Sequence, residues 1–330
     1  MDKVYKALIA KEEGGAFVQE TQLRNVGELP DGDVLIRVHY SSLNFKDALS
    51  ATGNRGITRN YPHQPGIDAS GYVIESRSDS FREGDPVIVT GYDLGMDTPG
   101  GFGQYIRVPA GWVVALPQGL TLREAMIYGT AGFTAGLSVY HLSNSIGPGE
   151  GEILVTGATG GVGSLSVAIL HACGYQVSAL TGKTGREEFL RTLGADRVLS
   201  RSDMPSSADK SLLKGVWAGA IDTVGGNLLA ELLKSIRMQG VVTSCGHVAG
   251  ATLQTTVFPF IIRGVSLVGI NSQSCPMDKR RKIWQHLATD WKVPTLELLT
   301  QEISLDELPS YIREILQGQI TGRILVNLTQ

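Results

Sequence analysis

The sequence predicts an α/β fold in which a doubly wound parallel sheet is joined to a β-rich, largely antiparallel domain. Three observations carry that prediction. A glycine turn, Gly157-Ala-Thr-Gly-Gly-Val-Gly163, follows a continuous apolar run and opens a helical pattern. Before Leu122 the chain is dense in short segments broken by Gly, Pro, Asp and Asn, whereas after it helices and strands alternate. The number of alternating units suits a parallel sheet with helices on both faces.

The elements follow in order. Residues 1–9 read as a first strand rather than a signal peptide, because charges come early and no long apolar stretch follows. Strands are predicted at 34–40, 69–75, 86–90 and 105–108, with turn residues between them. A helical stretch covers 122–140. Ile153 to Val155 is apolar throughout, as a strand covered on both faces must be, and 164–173 has helical apolar spacing. Next come a strand at 176–180, a helix over 185–193, strands at 197–199 and 218–222, a helix over 227–236, and strands at 241–244 and 265–270. Amphipathic helices over 278–291 and 305–317 and a closing strand at 323–328 complete the chain.

With 330 residues the chain exceeds what one core usually organises, and 42% apolar content supplies two. A net charge of -3 argues against a nucleic-acid partner. No apolar run is long enough to span a membrane, so none is expected as a partner. Cys173, Cys245 and Cys275 are scattered and form no Cys-x-x-Cys pair. That pattern suggests a reducing, cytoplasmic setting with neither a disulfide frame nor a zinc knuckle.

Glycines at 157, 160 and 163 let the backbone turn tightly, approach a phosphate closely and pack the next helix on the sheet. The helix N-terminus adds unpaired N–H groups and partial positive charge, which makes the turn a pyrophosphate cradle. An acidic residue at the end of the second strand would hydrogen-bond the ribose of NAD, and none is present. Thr181-Gly-Lys-Thr-Gly-Arg186 instead offers hydroxyls and two cations where a 2'-phosphate would sit, so NADPH is the better fit. Lys183 and Arg186 would serve equally as a solvated face starting the next helix.

Further segments carry a resemblance over essentially the whole chain. They are Ser41-Ser-Leu-Asn-Phe-Lys-Asp47, Arg59-Asn-Tyr-Pro62, Pro65-Gly-Ile-Asp68, Ile127-Tyr-Gly-Thr-Ala-Gly-Phe-Thr-Ala135 and the Gly157 turn, then 216–225, 255–263 and Gly318-Gln-Ile-Thr-Gly-Arg323. In this order they resemble the zinc-independent medium-chain dehydrogenase/reductases, within them the quinone-oxidoreductase-like group that includes NADPH-dependent acrylyl-CoA reductases. The resemblance implies a Rossmann nucleotide domain over 125–270, a β-rich GroES-like catalytic domain from 1–124 and 271–330, and an active site in the cleft between them. It implies a homodimer, for which the 265–270 strand could pair across a two-fold axis. Zinc-dependent relatives place cysteines near Asn44 and Ala131 and a Gly-His-Glu near Gly66–Asp68; this chain has no thiolate or imidazole there, so no metal is expected.

Without metal or flavin, the chemistry left is direct hydride transfer from NADPH to an electron-poor carbon. For a short enoyl-CoA substrate, hydride adds at the β-carbon and charge appears on the thioester oxygen as an enolate. Asn44 is the first catalytic candidate, its amide donating to that oxyanion. Asp47, one helical turn on, would orient Asn44 or relay a proton, although an Asn-x-x-Asp is also a capping arrangement. Relatives often carry tyrosine at the place of Phe45, which is expected to pack against the nicotinamide ribose. Lys46 is expected to be exposed or ion-paired. The resemblance further implies that Thr159, Gly160, Gly161 and Val162 hold the pyrophosphate, that Thr181, Gly182, Lys183 and Arg201 meet the 2'-phosphate, and that His247, Ile261, Ser272 and Gly318 line the cofactor. Arg55 and Arg59 are the candidates for coenzyme A phosphates. The basic run 279–282 reads as a solvated helix face, and Arg263 as a packing or dimer-surface residue. The same hydride chemistry would serve quinones, enals or enones, and a non-catalytic NADPH-binding protein is the reading outside enzymology.

Overall fold

Gly14 and Gly15, at φ of 60° and 81°, turn the strand Val4–Glu13 back onto Ala16–Asn25 as a two-stranded antiparallel ribbon. The structure is a computed structural model, in which residues 3–207 and 209–329 are described. Two compact units result: Met1–Thr130 with Gln273–Gln285 and Leu296–Gln330, and Ala131–Ser272 with His286–Thr295.

The first unit holds a seven-stranded sheet in the order Thr300–Ser304, Arg323–Asn327, Val34–Leu43, Asp68–Ser76, Pro86–Thr90, Val113–Ala115, with Tyr105–Val108 also pairing Val34–Leu43. All pairings are antiparallel except the first, where the helix Leu308–Leu316 carries the chain between two parallel strands. The strand Thr300–Ser304 was not expected; Thr300, Gln301 and Glu302 give it no apolar run to read. The core beneath this sheet includes Leu8, Ile36, Val38, Val73, Val89, Phe102, Ile106, Leu308 and Val326.

The second unit is built on six parallel strands in the order Arg197–Leu199, Val177–Leu180, Ile153–Thr156, Trp217–Asp222, Ile236–Ser244, Ser266–Gly269. Ile153–Thr156 is buried throughout and opens the sheet in both directions, which makes its C-terminal end the point where strand order reverses. The Gly157 turn sits at that end. Its core joins Leu154, Leu180, Trp217, Leu232, Leu233 and Val242.

The helical stretch from Leu122 runs to Ser143 but is broken at Gly129, whose φ of 50° and ψ of −156° lie outside the helix region. Glycine is needed there, because a Cβ would collide with Ser42 Oγ and fall 2.5 Å from Asp68 Oδ2. The break therefore brings the backbone against the buried end of the strand Asp68–Ser76.

Candidate active site and nucleotide cradle

Asp68 is fully buried and is the acceptor at the centre of the first unit's polar cluster. Ser42 Oγ donates to its Oδ2 at 2.7 Å, and Asn44 Nδ2 does so at 2.7 Å. The Thr130 backbone N–H and hydroxyl donate at 2.9 Å and 2.6 Å, so the carboxylate caps the helix segment that restarts after Gly129. Arg323, also buried, places Nη2 at 4.0 Å from Asp68 Oδ2 and 2.8 Å from Ser42 Oγ, and donates through Nε to Ile127 O at 2.9 Å. Four hydrogen-bond donors, from residues 42–44 and 130, and the nearby Arg323 guanidinium thus hold one anion out of water.

Asp47 lies beside it, one turn into the helix Phe45–Ala51 and fully buried. Its Oδ2 accepts the Asn44 backbone N–H at 2.8 Å, the half of a capping box that an acidic third helical residue supplies, and its Oδ1 accepts Ile67 N at 2.8 Å. Burial, reinforced by the neighbouring Asp68 charge, pushes the Asp47 carboxyl up to about 7.

Asn44 and Asp47 are thus brought together, the Asn44 backbone N–H and Nδ2 lying 2.8 Å and 3.2 Å from Asp47 Oδ2. The oxyanion role expected for the Asn44 amide needs correction: its N–H bonds point to Asp68 Oδ2, Asp47 Oδ2 and Ser42 O, and its Oδ1 accepts Arg323 Nη1 at 3.2 Å. Both amide protons are engaged inside the protein. Asp68 and Arg323 are the residues sequence reasoning passed over as functional, although both lie in quoted motifs; a buried carboxylate and a buried guanidinium look like surface charges until the chain is folded.

Phe45 begins the helix and is 38% exposed. Lys46 is neither fully exposed nor ion-paired: half-buried, it donates to Gln273 Oε1 at 2.7 Å. Arg55 and Arg59 belong to one loop but each has a carboxylate. Arg55 donates to Glu12 Oε2 at 3.1 Å and lies over Tyr61 at 4.9 Å, while Arg59 donates to Asp97 Oδ2 at 2.7 Å yet stays 78% exposed. Both are exposed, Arg59 more so than Arg55, whose side chain is 55% exposed.

The basic run is corrected at Arg280: Arg281 and Lys282 are exposed and Lys279 partly so. In the helix Met277–Ala288, Arg280 is fully buried, donating to Thr90 O at 2.8 Å and to Gln273 O at 3.0 Å, with its guanidinium over Tyr92 at 4.5 Å. Tyr92, at φ of 52°, stacks in turn on Trp112 at 5.5 Å. Arg263 packs: its Nη1 donates to Lys234 O and Ile236 O, both at 2.8 Å.

In the second unit, Gly157 has a φ of 60° and its missing Cβ leaves room for the Thr223 hydroxyl; a Cβ on Gly163 would strike the Gly157 carbonyl. Gly160 precedes the helix Gly161–Ala172, whose first turn contains Gly161 and Val162. Thr159 and Thr181 are buried with their hydroxyls 3.1 Å apart, tying the turn to the end of the strand Val177–Leu180. The Asp222 carboxylate fastens the strand ends from below, accepting Thr156 Oγ1 at 2.7 Å and Gly225 N at 3.0 Å. At Gly182 a Cβ would lie 2.9 Å from Arg201 Nε, so the Arg201 guanidinium rests against the Thr181–Lys183 loop. Burial, with Arg186 nearby, lowers the Lys183 ammonium. His247 is exposed in the loop after Ser244, its carbonyl accepting Gly250 N at 2.9 Å. Ser272 is half-buried where the second unit's segment ends. Ile261 stands 70% exposed on the helix Phe258–Arg263, beside Val257, Phe258 and Ile262. Gly318, at φ of 70°, follows the helix Leu308–Leu316 as its left-handed terminator.

Residues 30–118 match the alcohol dehydrogenase GroES-like domain and residues 161–289 the zinc-binding dehydrogenase family. "Putative quinone oxidoreductase YhfP" of Bacillus subtilis is 44% identical over 99% of this chain and 100% of its own length. "Probable acrylyl-CoA reductase AcuI" of Escherichia coli is 46% identical over 98% of this chain and 99% of its own. The crystal structure of E. coli YhdH with bound NADPH superposes with a TM-score of 0.94 at 46% identity, covering 98% of this chain and 100% of that one. That of B. subtilis YhfP with NAD bound does so at 0.96 and 44%, covering 99% and 100%. The zinc in one family description does not suit the residues present: Asp68 and Asp47 are filled by N–H and O–H donors, and among the described residues no group of three His, Cys, Asp or Glu is placed to hold a metal. Among the described residues no helix is long and apolar enough to cross a membrane.

Proposed function

The chain belongs to the medium-chain dehydrogenase/reductase family of oxidoreductases, and from that premise we propose that it uses NADPH to reduce the activated C=C bond of acrylyl-CoA or a similar short enoyl thioester. The observation that carries the cofactor is the Arg201 guanidinium packed against Gly182, next to Lys183 and with no acidic residue at the end of the preceding strand. Two cations converging on one loop suit a 2'-phosphate better than a bare ribose. The naming of the AcuI relative and the NADPH in the YhdH structure agree with this reading.

Bound NADPH supplies the hydride. Thr159, Gly160, Gly161 and Val162 receive its pyrophosphate at the helix N-terminus, Thr181 to Lys183 and Arg201 its 2'-phosphate, and His247, Ile261, Ser272 and Gly318 are proposed as further lining. The first unit serves as the catalytic domain: Asn44, fixed by Asp47 and Asp68, shapes the loop that orients the substrate, with Phe45 against the nicotinamide side. Arg59, largely solvated, is proposed to meet coenzyme A phosphates, with Arg55 bracing its loop. The edge strand Ser266–Gly269 and the exposed Val257, Phe258 and Ile262 support a homodimer formed through the second unit.

The YhfP name favours a second reading, reduction of quinones or free enals and enones by the same hydride. Loss of NADPH absorbance, measured with acrylyl-CoA, crotonyl-CoA, free acrylate and a quinone, and with NADH in parallel, separates them. Turnover concentrated on thioester and NADPH is the expected result. Equal or better quinone turnover moves the assignment to the second reading, and no oxidation with any acceptor leaves a cofactor-binding protein.

A further inference from the structure

We infer that Lys46 is a further catalytic residue, the acid whose ammonium supplies the proton that ends on the substrate α-carbon. The assignment rests on the enoyl thioester reading above. It begins from the engagement of Asn44: with both amide protons held by Asp68, Asp47 and Ser42 O, the helix start 44–47 needs another donor. Lys46 is the next polar side chain along it. Its Nζ makes one hydrogen bond, to the neutral Gln273 Oε1 at 2.7 Å, and among the described residues no carboxylate lies within ion-pair distance. Two of its three N–H bonds are therefore left for a ligand.

The support for Lys46 is itself rigid. The Gln273 carbonyl accepts Tyr92 N at 2.9 Å and the buried Arg280 Nη2 at 3.0 Å, and its amide nitrogen lies 3.4 Å from Met96 Sδ. A mere tether between these segments would not need an ammonium; half-burying one beside a neutral amide sacrifices hydration that an apolar side chain would not have to lose. Burial lowers the Lys46 ammonium, with the Asp47 charge partly offsetting it, which eases proton release.

The step balances with the known cofactor. Hydride forms a C–H bond at the β-carbon while the C=C π pair moves to leave an enolate on the thioester oxygen. The enolate pair then takes a proton from Lys46 Nζ at the α-carbon, the N–H bonding pair stays on nitrogen, and the neutral amine recovers a proton from water.

The test compares Lys46→Met, Lys46→Arg and Lys46→Cys, the last before and after alkylation with 2-bromoethylamine, with alkylated wild type as the control for Cys173, Cys245 and Cys275. For Lys46→Met, kcat with acrylyl-CoA should fall about a hundred-fold or more, while NADPH affinity, read by fluorescence, and Tm hold. Arginine, which keeps its proton, should not restore turnover, and the aminoethylated cysteine should. Retention of kcat within about three-fold in Lys46→Met or Lys46→Arg overturns the assignment. So does a loss that tracks weakened NADPH binding or a lowered Tm, which marks a tether. Wild-type protein inactive on every enoyl thioester overturns the underlying reading, and Lys46 with it, whereas active wild type with unaffected variants overturns Lys46 alone.

Discussion

The side-chain amide of Asn44 donates to the buried carboxylate of Asp68 at 2.7 Å, so the first residue of the candidate catalytic loop is clamped rather than waiting for substrate. Truncating it should disturb orientation first. Asn44→Ala is expected to lower turnover by ten-fold or more while NADPH affinity changes little, and to destabilise the first unit by about 1–3 kcal/mol through the donor lost to Asp68. Steady-state kinetics beside cofactor titration checks this; a cofactor affinity that falls in step with turnover contradicts it.

Arg323 is the cation nearest Asp68 and the donor to two carbonyls, Ile127 O and Leu43 O. Arg323→Met should cost about 3–5 kcal/mol, because it leaves a buried anion and two acceptors short of partners. Adding Asp68→Asn should recover part of the loss. Denaturant unfolding of the two singles and the double measures the coupling directly.

Asp47 predicts a pH dependence with a definite sign. Its folded carboxyl titrates at about 7 against an ordinary value near 3.9, so between those limits the folded chain holds a proton that the unfolded chain has released. Stability should then fall as pH rises from about 4 to about 7 and level off above, by about 1.4 kcal/mol for each tenfold difference in proton affinity between the folded and unfolded carboxyl. Asp47→Asn should remove this slope. The difference between wild-type and variant unfolding free energies, followed across that range, isolates it from other groups; a flat difference would show that Asp47 is ionised throughout.

Lys183 and Arg201 should discriminate the two nicotinamide cofactors. Each replaced by alanine is expected to weaken NADPH binding by about 1.5–3 kcal/mol, the worth of a hydrogen bond to a charged group, and to leave NADH nearly unchanged. Titration with both cofactors decides it, since equal losses would place these cations away from the 2'-phosphate.

Gly163 tests the cradle. Gly163→Ala drives a methyl into the Gly157 carbonyl, so the turn or the helix after it must shift. A marked loss of NADPH affinity is expected together with destabilisation, whereas Gly160→Ala, whose Cβ would stand at an ordinary 3.4 Å from the same oxygen, should be much milder.

Where local pattern suffices, the sequence reading was close. Pro86–Thr90, Tyr105–Val108 and Arg197–Leu199 have their predicted bounds, because Val and Ile runs end at turn residues. The glycine turn was legible because its chemistry is backbone chemistry within seven residues. The Asp68 cluster was not, since its partners come from three strands and a helix break whose meeting no local pattern encodes. Arg280 was misread for a different reason. Taken with Ile283, Trp284 and Leu287 it falls at i, i+3, i+4 and i+7, so the helix period already put it on the buried stripe, and its charge obscured that signal.

The strand Arg323–Asn327 lies inside the sheet of the first unit, between Thr300–Ser304 and Val34–Leu43. The sheet of the first unit is therefore completed by strands made after residues 131–272. While residues 131–272 emerge, the Tyr40–Leu43 end of the strand Val34–Leu43 stays an uncovered edge until Arg323–Asn327 follows, and Asp68 awaits its guanidinium over the same interval. A premature stop before Arg323 would yield a nucleotide cradle attached to an adhesive, half-built sheet rather than a smaller working protein.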